Sequence, residues 1–317
     1  KINFLMSLKG KRILVTGGAG FIGSHLVDAL LSEDAVVSVI DDLSTGRREN
    51  LNKQAVFYEI DINSSQVSEV LNKEKPEIIY SLAFNTNVPK AVKDPLFDMR
   101  SLSGNLNVMV AAKDAGVRKI ILASSGFVYG NTAVFPTPET EPVIPDNPYI
   151  ITKFGSENYL YFFKKAYGLD FVVFRYATVY GPRQAMGAMA DYIRSIAAGS
   201  QAVIYGHGTK TRDYVFVSDI IRANLMAAEF NCPPGISPIF NLGTSEETAL
   251  NDLYSRLATL LDRPESKPFY QADRPGELMR FNLSYEKAKR CLGWEPTVDL
   301  DKGLQEIVKY FRLKTPT

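Results

Sequence analysis

The chain has 317 residues, of which 45% are hydrophobic and 22% charged, and its formal net charge is +1. This composition is typical of a folded globular protein with a sizeable core, and the near-zero charge argues against nucleic acid or an anionic membrane as the main partner. Two histidines and two widely spaced cysteines, Cys232 and Cys291, argue against a zinc site and favour reduced thiols in the cytoplasm.

Short apolar runs alternate with longer amphipathic stretches along the first part of the chain. The apolar runs predict strands that are buried on both faces, at residues 12–17, 35–41, 56–61, 77–83, 119–125 and 171–176. The stretches between them predict helices at residues 21–32, 64–72, 96–115 and 149–167. This alternation predicts an α/β fold with a Rossmann-type, doubly wound parallel sheet.

After Tyr180 the pattern changes to loops, short strands and helices, which predicts a smaller mixed C-terminal lobe. Helices are expected near residues 189–198, 217–229, 249–261, 284–292 and 300–311. We expect residues 1–176 plus about 215–245 to form a nucleotide-binding domain, and residues 177–214 plus 246–317 to form a substrate lobe. No apolar run approaches the roughly 20 residues that span a bilayer.

The first predicted strand leads into TGGAGFIGSHL, where Gly18, Gly20 and Gly23 match the dinucleotide-binding fingerprint and Gly17 matches its tighter variant. Glycines allow the tight turn and let the backbone approach a pyrophosphate, while the following helix presents free N–H groups to it. A glycine match alone is weak evidence, but here it lies between a predicted strand and a predicted helix.

An acidic residue, Asp41, ends the second predicted strand, 18 positions after Gly23. A carboxylate there can accept hydrogen bonds from the adenosine ribose and would repel a 2′-phosphate, so the pattern favours NAD over NADP. Arg47 and Arg48 follow closely and could instead pair with a phosphate. Asp61, at the end of the third strand, could reach the adenine amino group or could be a solvated strand-end carboxylate.

Tyr149 and Lys153 lie four residues apart on a predicted helix, and therefore on the same face. A phenol is a poor base at neutral pH, and a nearby ammonium favours its ionised form. Ser125, at the end of the fifth strand, is expected at the sheet edge where ligands of parallel sheets bind. The three residues together predict an acid–base device that removes a proton from a hydroxyl while hydride leaves the same carbon.

With these motifs the chain resembles the extended short-chain dehydrogenase/reductases, in the nucleotide-sugar epimerase/dehydratase branch. The resemblance covers nearly the whole length, and it is carried by TGGAGFIGSHL, DDLSTG, SSGFVYG, PYIITK, RYATVYGPRQ, GTKTRDYVFVSDI and RPGELMRFNLSYEKAKRCLGWEP.

The resemblance implies a catalytic set and two groups of binding residues. Ser125, Tyr149 and Lys153 would be catalytic. The residues implied for NAD are Gly17, Gly20, Phe21, Ile22, Gly23, Asp41, Asp42, Asp61, Ile62, Leu82, Ala83 and Lys153. The residues implied for the substrate, besides Ser125 and Tyr149, are Thr178, Tyr205, Arg212, Arg274 and Glu277, the two arginines holding the diphosphate.

The residues after Ser125 bear on the reaction. Dehydratases of this family usually carry Asp-Glu there, and this chain has Gly126 and Phe127, which cannot act as acid or base. The resemblance therefore implies the simplest chemistry, C4 epimerisation of a UDP-sugar through a 4-keto intermediate, with UDP-glucose and UDP-galactose as the expected substrates. It also implies a homodimer, built on the helices at 96–115 and 149–167.

Several positions depart from the family pattern and leave alternatives open. Thr178 replaces the usual asparagine, and Ser101 replaces a helix asparagine. Phe281 falls near the place that limits 2-acyl groups, where a bulky ring would disfavour N-acetyl sugars unless it is simply a core residue. A UDP-glucuronate or UDP-N-acetylhexosamine 4-epimerase, or another nucleotide-sugar reductase, are therefore competing expectations. A non-catalytic NAD-binding regulator on the same fold is a further alternative, against which the intact Tyr149 and Lys153 argue.

Overall fold

The structure is a computed structural model, which describes residues 8–274 and 277–314. Its strands are β1 (Arg12–Thr16), β2 (Val36–Asp41), β3 (Val56–Glu59), β4 (Ile78–Ser81), β5 (Lys119–Ser125), β6 (Asp170–Tyr176), β7 (Thr178–Tyr180), β8 (Val203–Tyr205), β9 (Thr211–Arg212), β10 (Tyr214–Phe216), β11 (Ile239–Leu242), β12 (Thr248–Ala249) and β13 (Phe269–Gln271). Its helices are α1 (Phe21–Ser32), α2 (Gln66–Glu74), α3 (Val88–Lys93), α4 (Pro95–Asp114), α5 (Pro148–Tyr167), α6 (Ala188–Ala197), α7 (Val217–Glu229), α8 (Leu250–Leu260), α9 (Glu286–Leu292) and α10 (Leu300–Lys314), with short 3₁₀ turns at Arg48–Asn50 and Gly126–Tyr129.

The largest sheet of the described chain has seven strands in the order β11-β6-β5-β4-β1-β2-β3. The β1–β2, β1–β4, β2–β3 and β4–β5 pairs are all parallel. Strands β1 to β6 have the order of a dinucleotide-binding Rossmann sheet, in which the strand order reverses between β1 and β4. The predicted fold class is therefore confirmed, and the reversal point is where the strand ends can receive a ligand.

The strands and helices follow from the apolar pattern of the chain. Every residue of β4 and β5 is buried, as expected for strands covered on both faces. Their side chains pack with α2, α4 and α5 in one hydrophobic cluster, in which Leu14, Ile79, Leu122, Leu160 and Phe171 have no exposed surface. The predicted helix at 64–72 begins later, at Gln66.

Helix α5 carries the predicted Tyr–Lys pair, and its start is fixed by a cap. Asn147 precedes it, and the Asn147 side chain accepts a hydrogen bond from the backbone N–H of Ile150 at 3.1 Å. Pro148 occupies the first helical position, where its missing N–H costs nothing. Gly168 ends the helix in the left-handed conformation, with φ of 74°. Tyr149 therefore lies in the first turn of α5.

The helical segment between β4 and β5 differs from the prediction, because it contains two helices. A short helix, α3, precedes α4, because Asn87 caps it by accepting a hydrogen bond from Lys90 N at 3.0 Å. Asp94 then caps α4 by accepting from Phe97 N at 3.1 Å, which separates the two helices. The sequence pattern predicted only α4.

The chain divides into two compact units. The first unit comprises Lys1–Val128, Val143–Arg175 and Ile221–Phe240, and the second comprises Tyr129–Pro142, Tyr176–Ile220 and Asn241–Thr317. The predicted boundaries placed residues 129–142 in the nucleotide-binding domain, whereas here they group with the second unit.

Backbone and side-chain hydrogen bonds within the second unit explain that placement. Thr137 N donates to Asn282 O at 3.0 Å, and Ser284 N donates to Thr137 O at 2.9 Å. Asn241 adds a bond from its backbone N–H to the Glu139 carboxylate at 2.8 Å. Sequence periodicity carries no information on such irregular backbone pairing.

Among the described residues, no helix combines the length and the apolar character needed to cross a membrane. Within the same part of the chain, no group of three or more histidine, cysteine, aspartate or glutamate side chains is arranged to hold a metal ion.

Candidate active site

The glycine-rich turn between β1 and α1 is closely packed. Gly17 has φ of +72°, a conformation that favours glycine, and a side chain there would come within 2.8 Å of Ala83 N. A side chain at Gly23 would come within 2.1 Å of Gly17 O, because the first turn of α1 lies directly against the loop. Gly20 precedes α1 without any capping side chain, so the first N–H groups of the helix, at Phe21 and Ile22, have no intrahelical acceptor.

Asp41, at the end of β2, fixes this turn from the side. Its Oδ2 accepts a hydrogen bond from Ala19 N at 2.9 Å, and its Oδ1 accepts from Leu43 N at 2.9 Å. Burial raises the pKa of Asp41, and the two backbone hydrogen bonds oppose that rise. Asp42 instead accepts from Ser44 N and from the Ser44 hydroxyl, at 2.9 and 2.6 Å, and shapes the next turn.

The two arginines that could have recognised a phosphate are engaged with acids. Arg47 lies 3.6 Å from Glu49, and Arg48 pairs with Glu59. The carboxylate of Asp41 is therefore the charged group that faces the glycine turn in this part of the first unit.

Asp61 follows β3 and has local partners. Its Oδ1 accepts from Asn63 N and Asn63 Nδ2 at 2.8 and 2.9 Å, and its Oδ2 pairs with Arg100. Burial raises the pKa of Asp61, but the Asn63 hydrogen bonds and the Arg100 charge outweigh it and hold the pKa below its ordinary value. Ile62, the next residue, is buried beneath Gly104 of α4. Asp61 is therefore engaged with neighbouring protein groups at the end of β3.

The end of β4 lies beside the glycine turn, as the strand order requires. Leu82 N donates to Thr16 O at 3.1 Å, and Ala83 N donates to Thr16 Oγ1 at 3.3 Å. Asn105 of α4 donates to Ala83 O at 3.1 Å and holds the loop that follows. Leu82 and Ala83 therefore border the turn at the reversal point of the sheet.

Ser125, Tyr149 and Lys153 come together at the end of β5 and the start of α5. Ser125 Oγ accepts a hydrogen bond from Phe127 N at 3.2 Å, and the Ser125 side chain lies near enough to the Tyr149 phenol to influence its pKa. The Lys153 ammonium donates to Ala123 O at 2.6 Å and lies 5.8 Å from the centre of the Tyr149 ring. The same ammonium lies 3.3 Å from the centre of the Phe84 ring, a cation–π distance.

The protonation of this trio is set mainly by burial. Burial raises the pKa of Tyr149 to about 12, since the phenolate would lose hydration, while the Ser125 hydrogen bond opposes the rise. Burial also lowers the pKa of Lys153 to about 7, against the attraction of Asp98 and Glu157. In the protein without ligands, desolvation is the largest influence on both groups and favours the neutral phenol of Tyr149.

A buried ion pair lies one turn further along α5. Arg175 of β6 donates to Glu157 through Nε at 3.1 Å and through a terminal nitrogen at 2.6 Å. Ser124 Oγ also donates to Glu157, at 2.5 Å. Because Glu157 lies four residues after Lys153, the pair packs beneath the lysine on the same helix face.

The second unit contains the other predicted binding residues. Arg274 stacks on Tyr205, with its guanidinium carbon 3.4 Å from the ring centre. Lys210 is almost fully buried and lies 2.6 Å from carboxylate oxygens of both Asp273 and Glu277. Glu277 is thus already paired, and Lys210, which sequence reasoning missed, joins the group. Its presence within GTKTRDY, two residues before Arg212, was the available signal.

Arg212 and Thr178 also lie in the second unit. Arg212 donates through one terminal nitrogen to Thr211 O and Leu278 O at 2.7 and 2.9 Å, and burial lowers its pKa. Thr178 N donates to Asp213 O at 2.9 Å, while its side-chain Oγ1 is buried without a hydrogen-bond partner. Such a hydroxyl is a candidate for bonding to a ligand.

Comparisons with known proteins agree with this geometry. The sequence profile of the NAD dependent epimerase/dehydratase family matches residues 13–243. The UDP-glucose 4-epimerase of Mycolicibacterium smegmatis is 39% identical over 315 residues, which cover 96% of this chain and 99% of that protein.

Two solved structures are also similar. The UDP-glucose 4-epimerase of Thermotoga maritima with UDP-glucose is 42% identical, with a TM-score of 0.92, over 95% of this chain and 99% of that one. The UDP-glucose 4-epimerase of Thermus thermophilus in complex with NAD is 34% identical, with a TM-score of 0.89, over 95% of this chain and 99% of that one.

Proposed function

This chain belongs to the NAD-dependent epimerase/dehydratase family, and we propose that it is an NAD-dependent 4-epimerase of a UDP-sugar. UDP-glucose and UDP-galactose are the substrates proposed first. The observation that carries the proposal is the Lys153 ammonium 5.8 Å from the centre of the Tyr149 ring, beside Ser125 at the carboxyl end of a strand in a Rossmann sheet. Gly126 and Phe127 support epimerisation over dehydration, because neither side chain can assist the loss of water.

The residues of the first unit fit NAD. Backbone at Gly17 and Gly23 is too closely packed for any side chain, which leaves the turn and the first amides of α1 available for a pyrophosphate. We propose that these amides, with Gly20, Phe21 and Ile22, hold that group, and that Asp41 accepts the ribose hydroxyls with its remaining lone pairs. We propose that NAD also contacts Asp42, Asp61, Ile62, Leu82 and Ala83. When bound, NAD supplies a hydride acceptor and a positively charged nicotinamide.

Tyr149 acts in this mechanism as the proton carrier. It takes the proton from the O4 hydroxyl when the sugar is oxidised and returns it when the 4-keto sugar is reduced on its other face. Ser125, at the end of β5 beside the phenol, holds the sugar oxygen. Lys153 stabilises the phenolate by its charge. Since hydride is returned, the protein consumes no net cofactor.

The second unit is proposed to bind the nucleotide. Arg212 and Arg274 suit a diphosphate, because the guanidinium group bonds phosphate oxygens in pairs. Tyr205, already stacked on Arg274, is proposed near the base, and Glu277 near its ribose. The unpartnered Thr178 hydroxyl supports a contact with the substrate.

A homodimer is part of the proposal. Apolar side chains are exposed on both α4 and α5, at Met99, Val110, Ile151, Tyr159 and Phe162. Exposed apolar patches of this kind typically mark interfaces. Cytoplasmic location is likewise proposed, with support from Cys232 and Cys291, which form no disulfide within the described residues.

The test is conversion of UDP-galactose to UDP-glucose by the purified protein without added NAD. We expect conversion in both directions and no accumulation of NADH. UDP-glucuronate and UDP-N-acetylglucosamine are run beside it, and exclusive activity on either would assign the alternative sugar. Net NADH consumption would instead indicate a reductase, and no conversion of any UDP-hexose by protein that carries NAD would refute an epimerase.

A further inference from the structure

Asp98, on the first turns of α4, is a carboxylate with no exposed surface. Its Oδ2 accepts a hydrogen bond from the Thr152 hydroxyl at 2.8 Å, and its Oδ1 accepts from Asn85 Nδ2 at 3.1 Å. Both donors are neutral. A buried carboxylate is costly unless hydrogen bonds and a nearby cation compensate for the lost hydration.

Lys153 follows Thr152 on α5, and the charge of Asp98 attracts its ammonium. The charged and titratable groups that face its ammonium are Asp98 from α4, Tyr149 and Glu157 from α5, and Arg175 from β6, which pairs with Glu157. Two hydrogen bonds from Arg175 already neutralise Glu157. Asp98 is therefore the anion whose charge remains available to Lys153, and its attraction opposes desolvation more strongly than that of Glu157.

Asp98 is also linked to Lys153 through the loop that follows β4, because it binds Asn85 and the neighbouring Phe84 ring packs on the lysine. Asn85 donates its side chain to Asp98, and its backbone N–H donates to Ser101 Oγ at 2.9 Å. These two bonds fix the loop to α4. Phe84, the neighbouring loop residue, lies with its ring 3.3 Å from the Lys153 ammonium.

We propose that Asp98 is a positioning residue for the acid–base pair: its buried carboxylate fixes Thr152 and Asn85 and favours the ammonium form of Lys153 beside Tyr149. The inference rests on the proposed function for its role in turnover. The effect of Asp98 on Lys153 does not depend on the reaction, because it concerns the protein without substrate. Asp98 supplies charge and orientation and transfers no proton.

The first experiment follows the titration of Lys153 by the ¹³Cε chemical shift of lysine-labelled protein, with the signal assigned by its loss in Lys153→Met. In Asp98→Asn we expect the midpoint to fall by about one pH unit, because an opposite charge close by favours the ammonium. Asp114→Asn, the same substitution at the exposed end of α4, is the control and should leave the midpoint unchanged. Asp98→Ser removes the same charge and gives the answer if Asp98→Asn does not fold.

A further variant separates charge from hydrogen bonding. Thr152→Val removes the hydroxyl but keeps the carboxylate, so the Lys153 midpoint should stay within about a third of a pH unit of the wild-type value. A wild-type midpoint in the folded Asp98 variants, or an equal shift in Thr152→Val, would overturn the proposal.

The second experiment measures turnover against pH. Asp98 raises the pKa of Tyr149 as well as that of Lys153, so both limbs of the Asp98→Asn profile should move to lower pH. Its kcat should fall while KM is kept, because Asp98 is placed to act through Thr152 and Lys153. A lowered kcat on an unmoved profile would contradict the charge role. If the midpoint of Lys153 shifts but no UDP-sugar is converted by the wild-type protein, the proposed function fails and the assignment of Asp98 survives.

Discussion

At the scale of single residues, the reaction is predicted to depend on one phenol oxygen. Tyr149→Phe keeps the ring that packs at the start of α5 and removes the proton carrier. We expect kcat to fall by about 10²–10⁴-fold, the usual contribution of a positioned acid–base group, while the nucleotide content of the protein, read from the absorbance of its acid extract, is unchanged. Tyr167→Phe, at the exposed end of the same helix, is the control. Equal turnover in wild type and Tyr149→Phe would remove Tyr149 from the mechanism.

The pKa of Lys153 gives a prediction on stability. Burial lowers this pKa from 10.5 to about 7, so between these values the unfolded chain binds a proton that the folded chain does not. Folding stability therefore rises with pH across this window and is lower below about pH 7, where the buried lysine must carry its charge. In Lys153→Met, the free energy of unfolding should rise less steeply across this window, by about 1 kcal/mol per pH unit. Urea unfolding at several pH values measures the free energy of unfolding of both proteins. The same dependence on pH in wild type and Lys153→Met would contradict the prediction.

The Glu157–Arg175 pair should matter for stability more than any exposed ion pair. Arg175→Met leaves a buried carboxylate with only Ser124 as donor, and such a loss typically costs about 3–5 kcal/mol. Arg256→Met removes a half-exposed pair with Asp252 and Asp301 and should cost about 1 kcal/mol or less. Chemical denaturation of both variants measures the difference, and similar losses would show that burial does not govern the pair.

At the scale of elements, the start of α5 couples helix stability to the position of Tyr149. Asn147→Ala removes the cap and should cost about 1 kcal/mol. Because Tyr149 lies two residues after the cap, turnover should fall as well, and Asn147→Ser, which can cap in the same way, should restore both. Thermal unfolding and initial rates measure the two effects. Loss of stability with full activity would show that the first turn does not need the cap to hold the phenol.

The exposed side of α4 and α5 predicts how the chain associates. Phe162→Lys places a charge on this apolar surface and should shift the protein to a monomer, since a buried unpaired charge is costly. Lys309→Glu on α10 is the control. Sedimentation velocity gives the result, and an unchanged dimer in Phe162→Lys, or a monomeric wild type, would refute the proposed interface.

At the scale of the whole molecule, the sequence was a good guide to the sheet and a partial guide to the site. Strand and helix periods predicted β1 to β6 and α1, α4 and α5, because these elements bury regular apolar stripes. The turn at Gly17 and the acid at Asp41 were recognisable because backbone geometry there admits few residue types. Asp98 and Lys210 were missed, since a buried charge is identified by partners that are distant in sequence.

The double use of the Asp41 carboxylate has a consequence for cofactor preference. The carboxylate proposed to bind the cofactor's ribose also accepts a hydrogen bond from the backbone N–H of Ala19 in the glycine turn. Exchanging this acid for a residue without a hydrogen-bond acceptor would remove its repulsion of a 2′-phosphate, but it would also remove the bond that holds the turn on which any dinucleotide must sit. Redesign toward the other cofactor would therefore have to supply a new acceptor for that amide at the same time.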